Sequence, residues 1–206
     1  MNAPVPAASD APSTDARILA VATDHLRRYG QERTTVVSVA RAAGMSHANV
    51  YRYFPSKAAL IDAVTAQWLR PLETQLLVVA DAPDPADDKL ERLLLAWAGA
   101  LRERLELDPD VFDVFVEAHT AMRGVVRKHR SRIRGLVERI VEEGVGSGVF
   151  AIRRTDRATT LVLDALFRFV HPAAVRLDRE LSRRVMEERL TVVVRAVLRA
   201  MKAGTL

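Results

Sequence analysis

The sequence predicts an all-α protein, and three observations carry that prediction. Apolar residues recur at spacings of three and four over most of the chain, with almost no strand-like alternation. Each such segment is bracketed by helix punctuation, with Ser, Thr or Asp before it and Gly or Pro after it. The composition, 49% hydrophobic and 28% charged over 206 residues, is that of a chain that buries a core. This length admits one large helical domain or two smaller ones. Punctuation divides it into a tail over residues 1–13, a compact bundle over 14–60 and a larger helical region over 61–206, with about nine helices in all.

Ser13 or Thr14 caps a first helix with Ile18, Val21, Ala22 and Leu26 on one face, and Gly30 stops it after Tyr29. Thr34 and Thr35 open a second, which turns Val36, Val39, Ala40 and Ala43 inward and closes at Gly44. Ser46 caps a third, which Pro55 ends because proline disfavours the helical conformation in the residue before it. Ser56 caps a fourth that runs through Trp68. Pro71 then removes a hydrogen bond to the carbonyl of Gln67, so a kink or an interruption is expected there. Helices shorter than about 12 residues are marginal in water, so the second and third exist only by packing on the first and fourth.

Farther on, Asp84-Pro85 and Asp108-Pro109 each read as an N-cap followed by proline at the first helical position. They start helices over roughly 86–106 and 110–120. Another runs to Glu143 and stops at the glycine-rich break from Gly144 to Gly148. Thr155-Asp156 begins a helix that lasts to about Val170, where His171-Pro172 interrupts it. Asp178 or Glu180 starts the last, which ends near Met201.

Charge is unevenly spread. Residues 14–60 hold seven basic groups against three acidic ones, whereas the 146 residues from 61 onward hold 24 against 22. A net charge of +5 concentrated at the front is compatible with a polyanionic partner. The absence of cysteine excludes disulfides, thiolate zinc sites and thiol redox sensing. The first thirteen residues have neither a basic nor an apolar signal-peptide region and read as a disordered tail. The longest uncharged apolar run, Leu93 to Leu101, is about half of what a membrane-spanning helix needs. A cytoplasmic protein with no membrane association is therefore expected.

The chain has three tyrosines, and two of them fall between Met45 and Lys57. On a helix advancing about 100° per residue, Val50 and Phe54 form the buried face of the third helix, with Ala48 and Arg52 almost opposite. His47 and Tyr51 flank the outer face on one side, Asn49 and Tyr53 on the other, and none of these is a carboxylate. A helix that enters the major groove needs small residues near its N-terminus and side chains able to read base edges. Tyrosine hydroxyls and a helix N-terminus can hold phosphate oxygens, and Lys57 supplies a charge for the same backbone. Second helix, tight turn at Ala43-Gly44-Met45 and third helix have helix-turn-helix spacing. Periodicity alone leaves an exposed polar helix equally open.

Thr34-Thr35-Val36, the turn Ala40-Arg41-Ala42-Ala43-Gly44-Met45-Ser46 and the run Tyr51-Arg52-Tyr53-Phe54-Pro55-Ser56-Lys57-Ala58-Ala59-Leu60 form an ordered set. In that set, residues 14–60 resemble the N-terminal domain of the TetR family of transcriptional regulators. Two positions depart from its pattern: Leu26 stands where phenylalanine is usual, and Met45 replaces valine. The resemblance implies that Thr34 or Thr35, Ser46, Tyr51, Tyr53 and Lys57 contact phosphates of a double-stranded DNA operator. It implies too that His47, Ala48, Asn49 and Arg52 face bases, although Asn49 could equally cap or brace its helix.

The resemblance further implies an all-helical second domain that binds a small-molecule effector and forms a homodimer through its last two long helices. Candidates for these are 156–170, with Leu161, Val162, Ala165, Leu166 and Phe169, and Leu181 to Met201, with Val185, Leu190, Val193, Val194, Val197 and Leu198. An isologous dimer would place its recognition helices roughly 34 to 36 Å apart on a palindromic operator. The expected protein is a ligand-released repressor; the alternative is a DNA-binding protein of the same fold with no effector, its second half serving only dimerisation or a protein partner.

For the ligand, the middle helices offer Trp97, Phe112, Phe115, His119, Met122, Phe167 and His171, each of which also reads as ordinary core. A buried histidine among aromatics suits an apolar ligand with one polar handle. Catalysis is not expected. His25, His47, His119, His129 and His171 lack metal-site spacing, and the chain has neither a phosphate-binding glycine loop nor a nucleophile elbow. No metal or cofactor is predicted.

Overall fold

A computed structural model describes residues 13–205; the tail expected over 1–13 lies, Ser13 apart, outside them. Every regular element among the described residues is helical, and there are eleven where about nine were expected: α1 (Thr14–Arg33), α2 (Val36–Ala42), α3 (His47–Tyr53), α4 (Lys57–Ala80), α5 (Ala86–Leu107), α6 (Pro109–Thr120), α7 (Gly124–Gly146), α8 (Thr155–Ala165), α9 (Phe167–Val170), α10 (Pro172–Leu177) and α11 (Arg183–Ala203). Two compact units divide after Val64, within α4.

In the first unit α1 buries Ile18, Ala22 and Leu26, and Gly30 breaks its regular winding with a φ of 74°, a left-handed conformation that glycine adopts without a Cβ clash. Thr35 then caps α2 reciprocally: its hydroxyl accepts from the Ser38 amide while the Ser38 hydroxyl accepts from the Thr35 amide. Val36, Val39 and Ala40 are buried, and Ala43 is half-buried at the C-terminal end. Gly44, at φ 64°, allows the tight turn into α3, whose first amides Ser46 caps through Asn49. Val50 and Phe54 bury the inner face of α3, and Leu60, Ile61 and Val64 of α4 are equally buried.

The second unit is built on α5, α7, α8 and α11, which share a core that includes Leu93, Leu101, Val137, Ile140, Val162 and Val194. Several expectations need correction here. Of the kink or interruption expected at Pro71, the interruption does not occur: α4 runs through Pro71 to Ala80. Pro71 and Gln67 both lie on its exposed face, where water can serve the carbonyl that proline leaves without a donor. Asp84 does not cap α5: Pro85, in an extended conformation, is the capping residue, and Asp84 pairs with Arg92. Asp108 does stand at the N-cap of α6 with Pro109 after it, but its carboxylate accepts from the Trp68 indole at 3.2 Å instead of capping.

Nor does the glycine-rich stretch break the chain where expected. α7 continues to Gly146, and only Gly148 takes a positive φ, of 75°. Gly144 stays helical and buried because the Phe150 ring folds back onto it, leaving no room for a Cβ. The helix from Thr155 ends at Ala165 rather than near Val170, with α9 and α10 as short successors. The last helix begins later than predicted, at Arg183, because Ser182 caps it through the Val185 amide. Arg102 steadies the turn before it, donating to the carbonyls of Asp178, Arg179 and Leu181 at 2.6 to 2.8 Å. Among the described residues no helix is long and apolar enough to cross a membrane.

Candidate nucleic-acid interface and ligand cavity

α3 presents what its sequence spacing predicts. With Val50 and Phe54 turned inward, His47, Ala48, Tyr51, Arg52 and Tyr53 are exposed and Asn49 is half-exposed. Tyr51 and Tyr53 leave 45% and 37% of their surface to solvent, large values for aromatic residues. Arg52 lies over the Tyr53 ring, 5.1 Å from its centroid, and its guanidinium donates to the Tyr53 hydroxyl at 3.2 Å. That bond, with one to Thr14, holds the phenol below its ordinary pKa. Lys57 donates to the Glu32 carbonyl at 3.1 Å; an ammonium has three donors, so two remain for another acceptor.

Of the two threonines, Thr34 is placed inside. Fully buried at 0% exposure, it donates to the Gly30 carbonyl at 2.8 Å and lies 3.2 Å from Nδ1 of His25. Its hydroxyl is committed to closing the end of α1, which leaves Thr35 and Ser46 at the two helix starts. Nothing in the motif separates the adjacent threonines; the distinction arises from His25, nine positions upstream.

In the second unit five of the seven residues named for a ligand, Trp97, His119, Met122, Phe167 and His171, line one cavity of about 440 Å³. Phe112 and Phe115 do not reach it. They are fully buried, pack edge-on to each other and both lie against Trp68, Phe112 edge-on and Phe115 tilted, so they are core. The cavity also recruits Thr120, Arg130, Ile133, Leu163, Asp164 and Val170, which sequence reasoning missed. Arg130 in particular sits on α7 among many charged residues, where helical spacing reads it as solvated surface. Two other cavities, of about 310 and 500 Å³, contain none of the seven.

The His119 and His171 rings meet at 4.4 Å, and His171 leans on Phe167 at the same distance. Burial pushes the pKa of His119 down to about 4, with help from His171 and the charge of Arg130. Burial and Arg130 lower His171 as well. Near neutral pH the pair is uncharged, and each ring offers one donor and one acceptor.

Comparison with known proteins gives the same architecture. A family profile described as "Bacterial regulatory proteins, tetR family" matches residues 18–64, and one described as "Tetracyclin repressor-like, C-terminal domain" matches residues 86–194. Among curated proteins none matches significantly. Solved structures do. A transcriptional regulator of the TetR/AcrR family from Thermobifida fusca is 21% identical at a TM-score of 0.65, over 89% of this chain and 96% of that one. The fatty acid degradation regulator FadR of Bacillus halodurans is 18% identical at 0.63, over 94% and 96%. FadR of Bacillus subtilis, in complex with stearoyl-CoA, is 16% identical at 0.64, over 91% and 97%. At these identities the likeness is one of fold. The two profiles lie in order along the chain and the second alone spans more than half of it, so the chain belongs to the TetR family of transcriptional regulators, which are DNA-binding proteins and not enzymes.

Proposed function

We propose that the protein is a homodimeric repressor that leaves a palindromic operator when a small molecule enters the cavity lined by Trp97, His119, Met122, Phe167 and His171. The outward face of α3 carries the DNA-binding part of this reading: small, hydrogen-bonding and cationic side chains without a carboxylate, on a helix anchored from behind by Val50 and Phe54. His47, Ala48, Asn49 and Arg52 are assigned to base edges, and Thr35, Ser46, Tyr51, Tyr53 and Lys57 to phosphates. The effector part rests on the cavity, whose volume lies in the usual range of small-molecule sites, roughly 300 to 1,000 Å³.

The test begins with selection of bound genomic fragments by the full chain, followed by two variants. His47→Ala should change which sequences are preferred. Lys57→Ala should weaken all sequences alike and reduce the salt slope by about one. Equal losses on operator and random DNA in both variants would contradict these assignments.

A further inference from the structure

The cavity that holds His119 and His171 is chemically lopsided. Trp97, Ile133, Leu163 and Val170 give it apolar walls, while the two imidazoles and Arg130 gather at one end. Arg130 is close enough for its charge to depress both imidazoles, yet among the described residues it meets no carboxylate; its Nη1 reaches only the Met122 sulfur, at 3.4 Å. Asp164 is the other charged residue of the lining. A guanidinium beside two neutral N–H donors complements a carboxylate, and charge-assisted bonds of this kind are the strong ones.

We infer that this cavity takes an amphipathic organic monocarboxylate, with the carboxylate on Arg130, His119 and His171 and the apolar body against Trp97, Ile133 and Leu163. The inference rests on the cavity being the effector site. One guanidinium balances one negative charge. A coenzyme A thioester has no carboxylate for Arg130 and carries several phosphate charges, for which the lining holds no further arginine or lysine. The free acid is therefore the form that fits.

Calorimetric titration of the full chain with octanoate, 4-phenylbutyrate, their matching alcohols and octanoyl-CoA tests this. The acids should bind about tenfold or more tightly than the alcohols. Arg130→Gln, at an exposed position, should abolish that preference while leaving alcohol affinity and the thermal midpoint in place. Acids no tighter than alcohols, a preference that survives Arg130→Gln, octanoyl-CoA tighter than octanoate, or no binding by any probe would each overturn it. The same acids are then added to the operator complex. Acid binding without release of DNA keeps the ligand class and removes the effector reading. Release by a cell extract, with no acid bound, does the reverse.

Discussion

At the scale of single residues, the half-buried imidazole of His119 should make the molecule's stability depend on pH. His119 protonates near its ordinary 6.5 in the unfolded chain but only near 4 in the folded one. Between those values the unfolded state binds the additional proton, so stability falls as pH drops through that window and is fully present above it. His119→Leu should flatten the profile of urea midpoints between pH 6.5 and 4; a slope identical to that of the native chain would contradict the depressed value. Residue identity was the part of the site most legible in the sequence, yet its failures are instructive. Thr34 and Thr35 are equivalent in a motif but not in the structure: Thr34 is fully buried beside His25, while Thr35 is half-buried and caps α2. Arg130 was not legible for the same kind of reason: its helical position resembles that of every solvated arginine, and only the arrival of α6 and His171 gives it neighbours.

Individual helices depend on their ends to an extent set by their length. α2 is seven residues long, too short to persist on propensity alone, and its start is secured by the reciprocal bonds of Thr35 and Ser38. Thr35→Ala should cost about 1 kcal/mol, seen as a lower denaturation midpoint, and Ser38→Ala should lose much of the same increment. Full additivity of the two in the double variant would show that the box does not act as a unit. Caps of this sort made the starts of α2 and α3 readable, whereas the cap of α11 at Ser182 was missed. Prolines were read only in part. Pro71 was expected to kink or interrupt α4, and the helix continues through it with Pro71 and Gln67 on the exposed face; Asp84-Pro85 marked the start of α5, but Pro85 and not Asp84 is its capping residue. Gly144 misled in the other direction: it is there for the Phe150 ring and not for a turn.

For the molecule as a whole, the second unit leaves apolar side chains outside on the two helices assigned to dimerisation. Val192 on α11 is 66% exposed and Leu161 on α8 is 40% exposed, although both helices bury their other faces well. Exposed apolar residues on such helices suit a partner surface. Val192→Asp should shift sedimentation toward the monomer and, because a palindrome is bound through two half-sites, weaken operator binding sharply while thermal unfolding changes little. Unchanged sedimentation would remove α11 from the interface. The first unit was legible nearly residue by residue because its short helices must carry caps and turns in a fixed order; the second was legible only as helices, since many packings satisfy the same spacing of leucines and valines. The way α3 is held has one more consequence. Val50 and Phe54 anchor it from behind, while the side chains of His47 and Ala48 stand exposed. Substitution at those two positions should therefore carry little folding penalty, and in the base-reading role proposed for them a lineage could drift to new target sequences without first acquiring compensating mutations.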